Sequence, residues 1–222
     1  MAEVLFRGEA FELLPSGALH WPRLSALLVA DLHLGKFAAF ARSGRMLPPY
    51  DTPLTLSRLE ADLDRTGAAR VFSLGDAFHR DDGSALLDGG DAARLHALCA
   101  RAEWTWVSGN HDPSDQGLAG SFAAEAEVGG LRLVHDVTGN PAGSVGGHLH
   151  PGATVSMSGR SARARCLVHD GERMVVPAYG ASTGRLDLHH PAVAAAVDLE
   201  RAEVFMLGRG RVYPVPVART VR

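Results

Sequence analysis

The sequence predicts an α/β fold, a layered core of strands and helices, on three observations. Short apolar runs recur, each closed by a polar or glycine-rich turn; stretches of helical periodicity stand between them; and past about residue 145 the texture changes to strands and turns. Residues 26–30 (ALLVA), 70–74 (RVFSL), 104–107 (WTWV) and 131–134 (LRLV) read as buried strands, being short, apolar and bounded by turn formers. Between the first two, residues 52–64 place Leu56, Leu59 and Leu63 at helical spacing, with Pro53 suited to a first turn. A second helix is expected over 91–101, with Leu95 and Leu98 turned inward. Downstream, 163–168, 174–177, 204–207 and 212–217 read as strands of a second, more antiparallel sheet, whereas the alanine run at 192–196 is too short to be assigned. No internal repeat, low-complexity tract or linker interrupts the chain, so one domain over residues 1–222 is expected, with strands at about 160–217 completing the second sheet.

The net charge of -3 and pI near 6.4 exclude an overall basic field, so any contact with a polyanion must be local. Of the 22 cationic residues only Lys36 is lysine, a bias that genomic base composition explains more readily than chemistry. Cys99 and Cys166 are neither closely spaced nor grouped with histidines, which argues against a disulfide framework and a thiolate metal site and fits a reducing cytoplasm. The first ten residues interleave charge with apolar side chains, and no apolar segment approaches a membrane span, so a cytoplasmic protein without a membrane partner is expected.

Each predicted strand runs into a group of metal-ligand residue types. Asp31-Leu-His33 ends the first, Gly75-Asp76 with His79-Arg80 follows the second, Gly109-Asn110-His111-Asp112 follows the third, His135-Asp136 ends the fourth, and Gly147-His148-Leu-His150 comes next. Ligands in open α/β sheets bind beyond the carboxyl ends of the strands, where such segments converge. If these segments are extended, residues i and i+2 share a side, so Asp31 with His33, and His148 with His150, would each grip one site. Chance explains a Gly-Asp pair or an Asp-x-His, but a Gly-Asn-His is expected on the order of 0.01 times from this composition. The set as a whole is a site.

The series Asp31-x-His33, Gly75-Asp76, Gly109-Asn110-His111, His135 and Gly147-His148-x-His150 resembles the calcineurin-like metallophosphoesterases over about residues 26–151. The resemblance implies an αββα sandwich of two mixed β-sheets flanked by helices, and two metal ions bridged by an aspartate. It implies that Asp31, His33, Asp76 and His150 hold one ion, that Asp76, Asn110, His135 and His148 hold the other, and that His111 faces the substrate.

The chemistry of these residue types agrees. Imidazoles and carboxylates without thiolate favour Mn, Fe, Co, Ni or Zn over Mg or Ca, with Mn the expected metal. Two such ions about 3.5 to 4 Å apart hold a bridging hydroxide and clamp a phosphoryl group for in-line attack. The leaving oxygen needs a proton, and His111, the titratable group of its turn not taken as a ligand, is the expected general acid. Asp112 has two readings: it orients a neighbouring imidazole, or it forms an Asx turn before Pro113.

Many phosphatases of this superfamily read Gly-Asp-x-x-Asp-Arg, the second Asp supporting the catalytic His. Here that position is His79, so an Asp-His dyad of that form is absent and His111 needs another orienting group. His79 and Arg80 are candidate phosphate contacts, against the plainer reading of loop residues exposed beside Asp81 and Asp82.

Asp31-Leu-His-Leu-Gly-Lys36, followed by Arg42, Gly44 and Pro48, together with His148-Leu-His-Pro151 and residues 176–184 (VPAYGASTG), is similar to the bacterial ligase-associated DNA damage response endonucleases, to about residue 185. That similarity implies a Mn-dependent DNA endonuclease of DNA repair, functionally linked to a ligase, a helicase and an exonuclease. Lys36, Arg42 and Arg45 beside the first ligand pair, and Arg160, Arg163 and Arg165 after the last, are candidate backbone contacts. His20, His96, His169, His189 and His190 fall outside every motif and read as structural or surface residues. The alternative is a phosphatase or phosphodiesterase of nucleotides or other small phosphoesters, with the same metal site and a different pocket. A non-catalytic scaffold is more remote, because it predicts eroded motifs and all seven ligand positions carry metal-binding residue types.

Overall fold

Two β-sheets face each other in a computed structural model that describes residues 1–45, 47–157 and 159–221. The first follows chain order: β1 (Ala2–Phe6), β2 (Glu9–Leu13), β3 (Leu19–Trp21), β4 (Ala26–Val29), β5 (Arg70–Leu74), β6 (Glu103–Val107) and β7 (Ser121–Ala123). Its pairs are antiparallel from β1 to β4 and parallel from β4 to β7. The second contains β8 (Ala126–Val128), β9 (Leu131–Leu133), β10 (Ser144–Gly146), β11 (Pro151–Met157), β12 (Arg160–His169), β13 (Arg173–Val175), β14 (Leu186–Asp187), β15 (Glu203–Gly208), β16 (Arg211–Pro216) and β17 (Thr220–Val221). There β10 is parallel to β9 and β13, while β11–β12 and β15–β16 are antiparallel hairpins, so both sheets are mixed.

The burial pattern of β4 shows why its sequence is unbroken apolar. Ala26 and Leu28 enter the core between the sheets, while Leu27 and Val29 face the helices outside. That outer layer is α2 (Asp51–Thr66) and α3 (Gly89–Cys99), which bury Leu56, Leu59 and Leu63, and Leu95 and Leu98, at the predicted spacing. Truncating fully buried Leu59 to Ala would cost about 2–5 kcal/mol. Gly67, at φ 59°, closes α2 by donating its N–H to the Leu63 carbonyl, and the Asp88 side chain caps α3 by accepting from Asp91 N. On the far side, α4 (Pro191–Ala196), which contains the alanine run, packs Val193 and Ala196 against Cys166, Val168 and Met206. The short α1 (Lys36–Arg42) leads from the loop after β4.

The layers are therefore helix, sheet, sheet, helix, as the resemblance implied. The N-terminal hairpin β1–β2 was not anticipated, and α3 begins and ends two residues before the predicted 91–101. Cys99 and Cys166 are buried free thiols. Among the described residues no helix is long and apolar enough to cross a membrane.

Candidate metal centre

The loops leaving β4 and β5 run side by side, with Asp31 N donating to Gly75 O (3.1 Å), His33 N to Asp76 O (2.9 Å) and Leu34 N to Ala77 O (2.9 Å). Along them the backbone is left-handed, with φ of 54° at Asp31, 46° at His33 and 49° at Asp76; His148 (65°) and His150 (44°) repeat the pattern after β10. A non-glycine residue there costs roughly 1–2 kcal/mol, strain that persists where surrounding structure enforces it. The expectation of extended segments with i and i+2 aligned is corrected by these angles. His148 and His150 also turn to different groups.

Asp31, His33 and His150 offer donor atoms within 4.8 Å of one another, and Asp76, His135 and His148 form a second such group. Asp76 lies between them: its Oδ2 is 3.8 Å from His33 Nε2 and its Oδ1 is 3.5 Å from His135 Nε2. Asn110 Oδ1 is 2.9 Å from His135 Nε2, and His148 Nδ1 is 3.1 Å from the same nitrogen. All seven predicted ligand positions thus converge, together with His111, whose backbone N–H donates to Asp76 Oδ1 at 2.9 Å. A third group, His33 with His79 and His111, was not anticipated.

Glycine recurs before these residues for want of space. A Cβ on Gly75 would lie 2.3 Å from His135 Nδ1, one on Gly109 would lie 2.1 Å from Asp76 Oδ1, and one on Gly147 would lie 2.5 Å from Asp31 Oδ2. Each glycine lets a neighbouring strand end bring its donor close.

The donor set fits divalent metal. Asp31 and Asp76 are 0% and 2% exposed, and among the described residues neither forms an ion pair with Lys or Arg. Buried carboxylates without cations are costly. His135 donates Nδ1–H to Leu74 O at 3.0 Å, which in the neutral ring leaves a lone pair on Nε2, facing the oxygens of Asn110 and Asp76. Acceptors this close repel unless a cation lies among them. Burial first, then the neighbouring His150 and His111, push His33 down to about 2, which leaves its imidazole neutral, the form that ligates.

His111 is oriented through its other nitrogen. Nδ1 donates to the backbone carbonyl of His79 at 3.0 Å, the two rings stack with centroids 5.1 Å apart at 25°, and Nε2 points toward Asp76 Oδ2 at 4.0 Å. Asp112 does not orient an imidazole. Its buried carboxylate accepts from Phe78 N at 2.9 Å, tying the loops after β5 and β6 together, and burial raises it to about 6.

The predicted substrate contacts divide by position. His79 adjoins His33 and His111 and keeps Nδ1 buried with no partner among the described residues. Lys36, partly buried, donates to Ser182 O at 3.0 Å, and desolvation lowers its pKa. Arg80 pairs with Asp82 at 3.1 Å, and Arg42 approaches the same carboxylate at 4.0 Å, so both stand at the exposed rim. Arg160 and Arg163 are accessible on β12, but Arg165 is not part of that stretch: it donates to Ala178 O and Ser16 O, and burial lowers it to about 10. The residues outside the motifs stay outside the groups: His20 meets Glu12, His189 meets Thr220, and His190 caps α4.

Sequence reasoning missed what lies beneath the centre. Tyr179 N donates to Ala30 O (2.8 Å) and Gly180 N to Asp31 O (3.1 Å), so the loop after β13 braces the first ligand turn. A Cβ on Gly180 would lie 2.3 Å from Leu32 O. The Tyr179 hydroxyl is anchored on buried Asp62 at 2.8 Å. The Tyr-Gly pair in residues 176–184 was the available signal.

The chain is similar to the crystal structure of Pseudomonas putida nuclease MPE, with 26% identity, a TM-score of 0.70, and coverage of 96% of this chain and 99% of that one. No family model matches the chain, and no curated protein does. The structural similarity and the two mixed sheets with flanking helices agree with a metallophosphoesterase sandwich.

Proposed function

We propose that this chain is a two-metal phosphodiesterase that cuts DNA, with Mn²⁺ as its working metal and DNA repair as its setting. The observation that carries the reading is the position of the Asp76 carboxylate, buried between the two donor groups and within 4.0 Å of the ring nitrogens of His33, His111 and His135. Asp31, His33, Asp76 and His150 would hold one ion; Asp76, Asn110, His135 and His148 would hold the other. Bound there, the ions supply Lewis acidity and activate water near neutral pH.

The chain's own residues supply the rest. His111, with Nδ1 committed to the His79 carbonyl, presents Nε2 as its proton-exchanging atom and protonates the leaving oxygen. The His79 imidazole binds a phosphoryl oxygen beside it. Lys36 and Arg42 hold the flanking backbone, with Arg45, Arg160 and Arg163 further out; Arg80 reaches phosphate by exchanging Asp82 for it. The similarity to a bacterial nuclease supports a nucleic acid substrate over a small phosphoester. A linked ligase, helicase and exonuclease, and a cytoplasmic setting, belong to the same reading, supported by the motif resemblance.

The test is to strip the protein by chelation, reload it with Mn²⁺, Fe²⁺, Co²⁺, Ni²⁺ or Zn²⁺, and measure metal per chain with cleavage of plasmid and single-stranded DNA. Two ions per chain and Mn-dependent cutting are expected. If nucleotides are consumed while both DNAs survive, the small-phosphoester reading replaces this one; absence of metal binding removes the site altogether.

A further inference from the structure

Helix α1 presents an aromatic face that the metal centre does not need. The α1 residue turned into the core is Ala39, whereas the larger Phe37 and Phe40 stay partly exposed. Their rings stack, with centroids 6.5 Å apart at 25°, as residues three apart on a helix can. Phe40 then meets the His79 ring edge-on at 5.3 Å, and His79 stacks on His111. An aromatic series therefore runs outward from the proposed proton donor onto the rim. Cations border it: Lys36 Nζ stands 6.0 Å over the Phe40 ring, and Arg42 and Arg45 are exposed beyond.

Packing alone does not account for this arrangement, since a helix serving only the core would bury its phenylalanines fully rather than give Ala39, of its three alanines, the buried place. Flat rings bordered by positive charge, next to a centre suited to phosphodiesters, match a substrate that carries an aromatic ring beside each phosphate. We propose that Phe37 and Phe40 form a wall on which an unstacked nucleobase beside the scissile linkage rests, while Lys36 and Arg42 hold the adjoining phosphates. This rests on the nuclease reading and adds residues outside the donor groups.

Phe37 is the position to test, because it lies away from His79. The metal-loaded protein and its Phe37→Ala and Phe37→Tyr variants are compared on a short DNA oligonucleotide and on one of equal length built from abasic residues. Loss of base stacking should raise KM for the ordinary oligonucleotide by about 5- to 150-fold in Phe37→Ala, and Phe37→Tyr should restore it. The penalty should be far smaller on the abasic strand. In parallel, a 2-aminopurine base in the oligonucleotide should be quenched on binding by the wild type and less by Phe37→Ala. Equal penalties on the two strands, or none on either, overturn the wall while leaving the nuclease reading intact. A wild-type protein that hydrolyses a small diester but cuts no nucleic acid overturns both. A dimer in solution that Phe37→Ala dissociates assigns these rings to a second copy of the chain and overturns the wall.

Discussion

His111 donates its Nδ1 proton to the main-chain carbonyl of His79 at 3.0 Å and lies against that residue's ring. A backbone oxygen thus takes the place of the aspartate that supports this histidine in phosphatases with the Gly-Asp-x-x-Asp-Arg motif. The carbonyl fixes the tautomer and aims Nε2 into the centre. His111→Ala should therefore retain bound metal while turnover falls by about 10² to 10⁴-fold, as removal of a general acid does. Metal analysis with single-turnover cleavage checks both halves, and metal loss in this variant refutes the role.

Removing the His79 side chain leaves its carbonyl in place. His79→Ala should raise KM for a phosphodiester more than it lowers kcat, with His111 still oriented from the main chain. Steady-state kinetics separate the two outcomes: a collapse in kcat equal to that of His111→Ala would mean that the ring, not the carbonyl, holds the donor.

Gly109→Ala places a methyl group 2.1 Å from Asp76 Oδ1 and 2.2 Å from Asp76 N, atoms that buried surroundings keep from moving. Overpacking of this kind costs about 1–3 kcal/mol, and each kcal/mol lowers the melting temperature of a chain this size by about 2–4 °C. Metal content should fall together with stability, since the Asp76 carboxylate lies 3.8 Å from His33 Nε2 and 3.5 Å from His135 Nε2, one from each donor group. Gly89→Ala is the control: nothing lies within 4 Å of its Cβ and its φ is ordinary, so stability should hold or rise slightly.

The legible parts of this protein are those where side-chain chemistry itself carries the pattern. β4 was readable because a strand buried on both faces is apolar throughout, β5 because Val71, Phe72 and Leu74 outweigh one buried serine, and the donor residues because Asn, His and Asp at strand ends are an improbable set. The hairpin β1–β2 buries Val4 and Phe6, then Phe11 and Leu13, but Leu5 between the first pair is exposed, and each run is only five residues long and reads equally as irregular surface. Helix α1 escaped because it is only seven residues long and buries Ala39 while its phenylalanines stay partly exposed, so no apolar stripe marks it. At the centre, Asp31, His33, His148 and His150 adopt left-handed angles that no i, i+2 pattern encodes. The groups that orient the imidazoles are the carbonyls of Leu74 and His79, and a carbonyl has no residue type. Arg163 and Arg165 look alike in sequence and share a face of β12 by alternation; what separates them is position along the strand, exposed at its start and covered further on, where Arg165 reaches Ala178 O.

The brace under the first ligand turn gives a separate expectation. Tyr179→Phe keeps the N–H groups of Tyr179 and Gly180 that reach Ala30 and Asp31, but strips buried Asp62 of the Tyr179 hydroxyl. Ser16 remains beside the carboxylate, so the loss is that of one hydrogen bond to a buried acid, about 1–3 kcal/mol. Thermal unfolding should register that loss, while metal stoichiometry at saturation stays at the wild-type value because the main-chain brace persists.

His169 offers a pH-dependent test far from the metal chemistry. Its ring is 3% exposed, wedged between Phe6 (5.7 Å, edge-on) and Phe205 (6.0 Å, stacked), and neither nitrogen has a partner among the described residues. Burial holds its pKa below the usual value, with Glu203 and Asp170 pulling weakly the other way. In the unfolded chain the same ring titrates near 6.5. Below that pH the unfolded state takes up a proton that the folded state refuses, so stability falls as the solution is acidified and is recovered above about pH 6.5. His169→Phe removes this linkage and fills the slot with a ring of similar size. Denaturant titrations from pH 8 to 5 should show the variant at least as stable as the wild type at the alkaline end, with the gap widening on acidification. A gap that stays constant across the series would mean that the buried imidazole does not titrate as its packing requires.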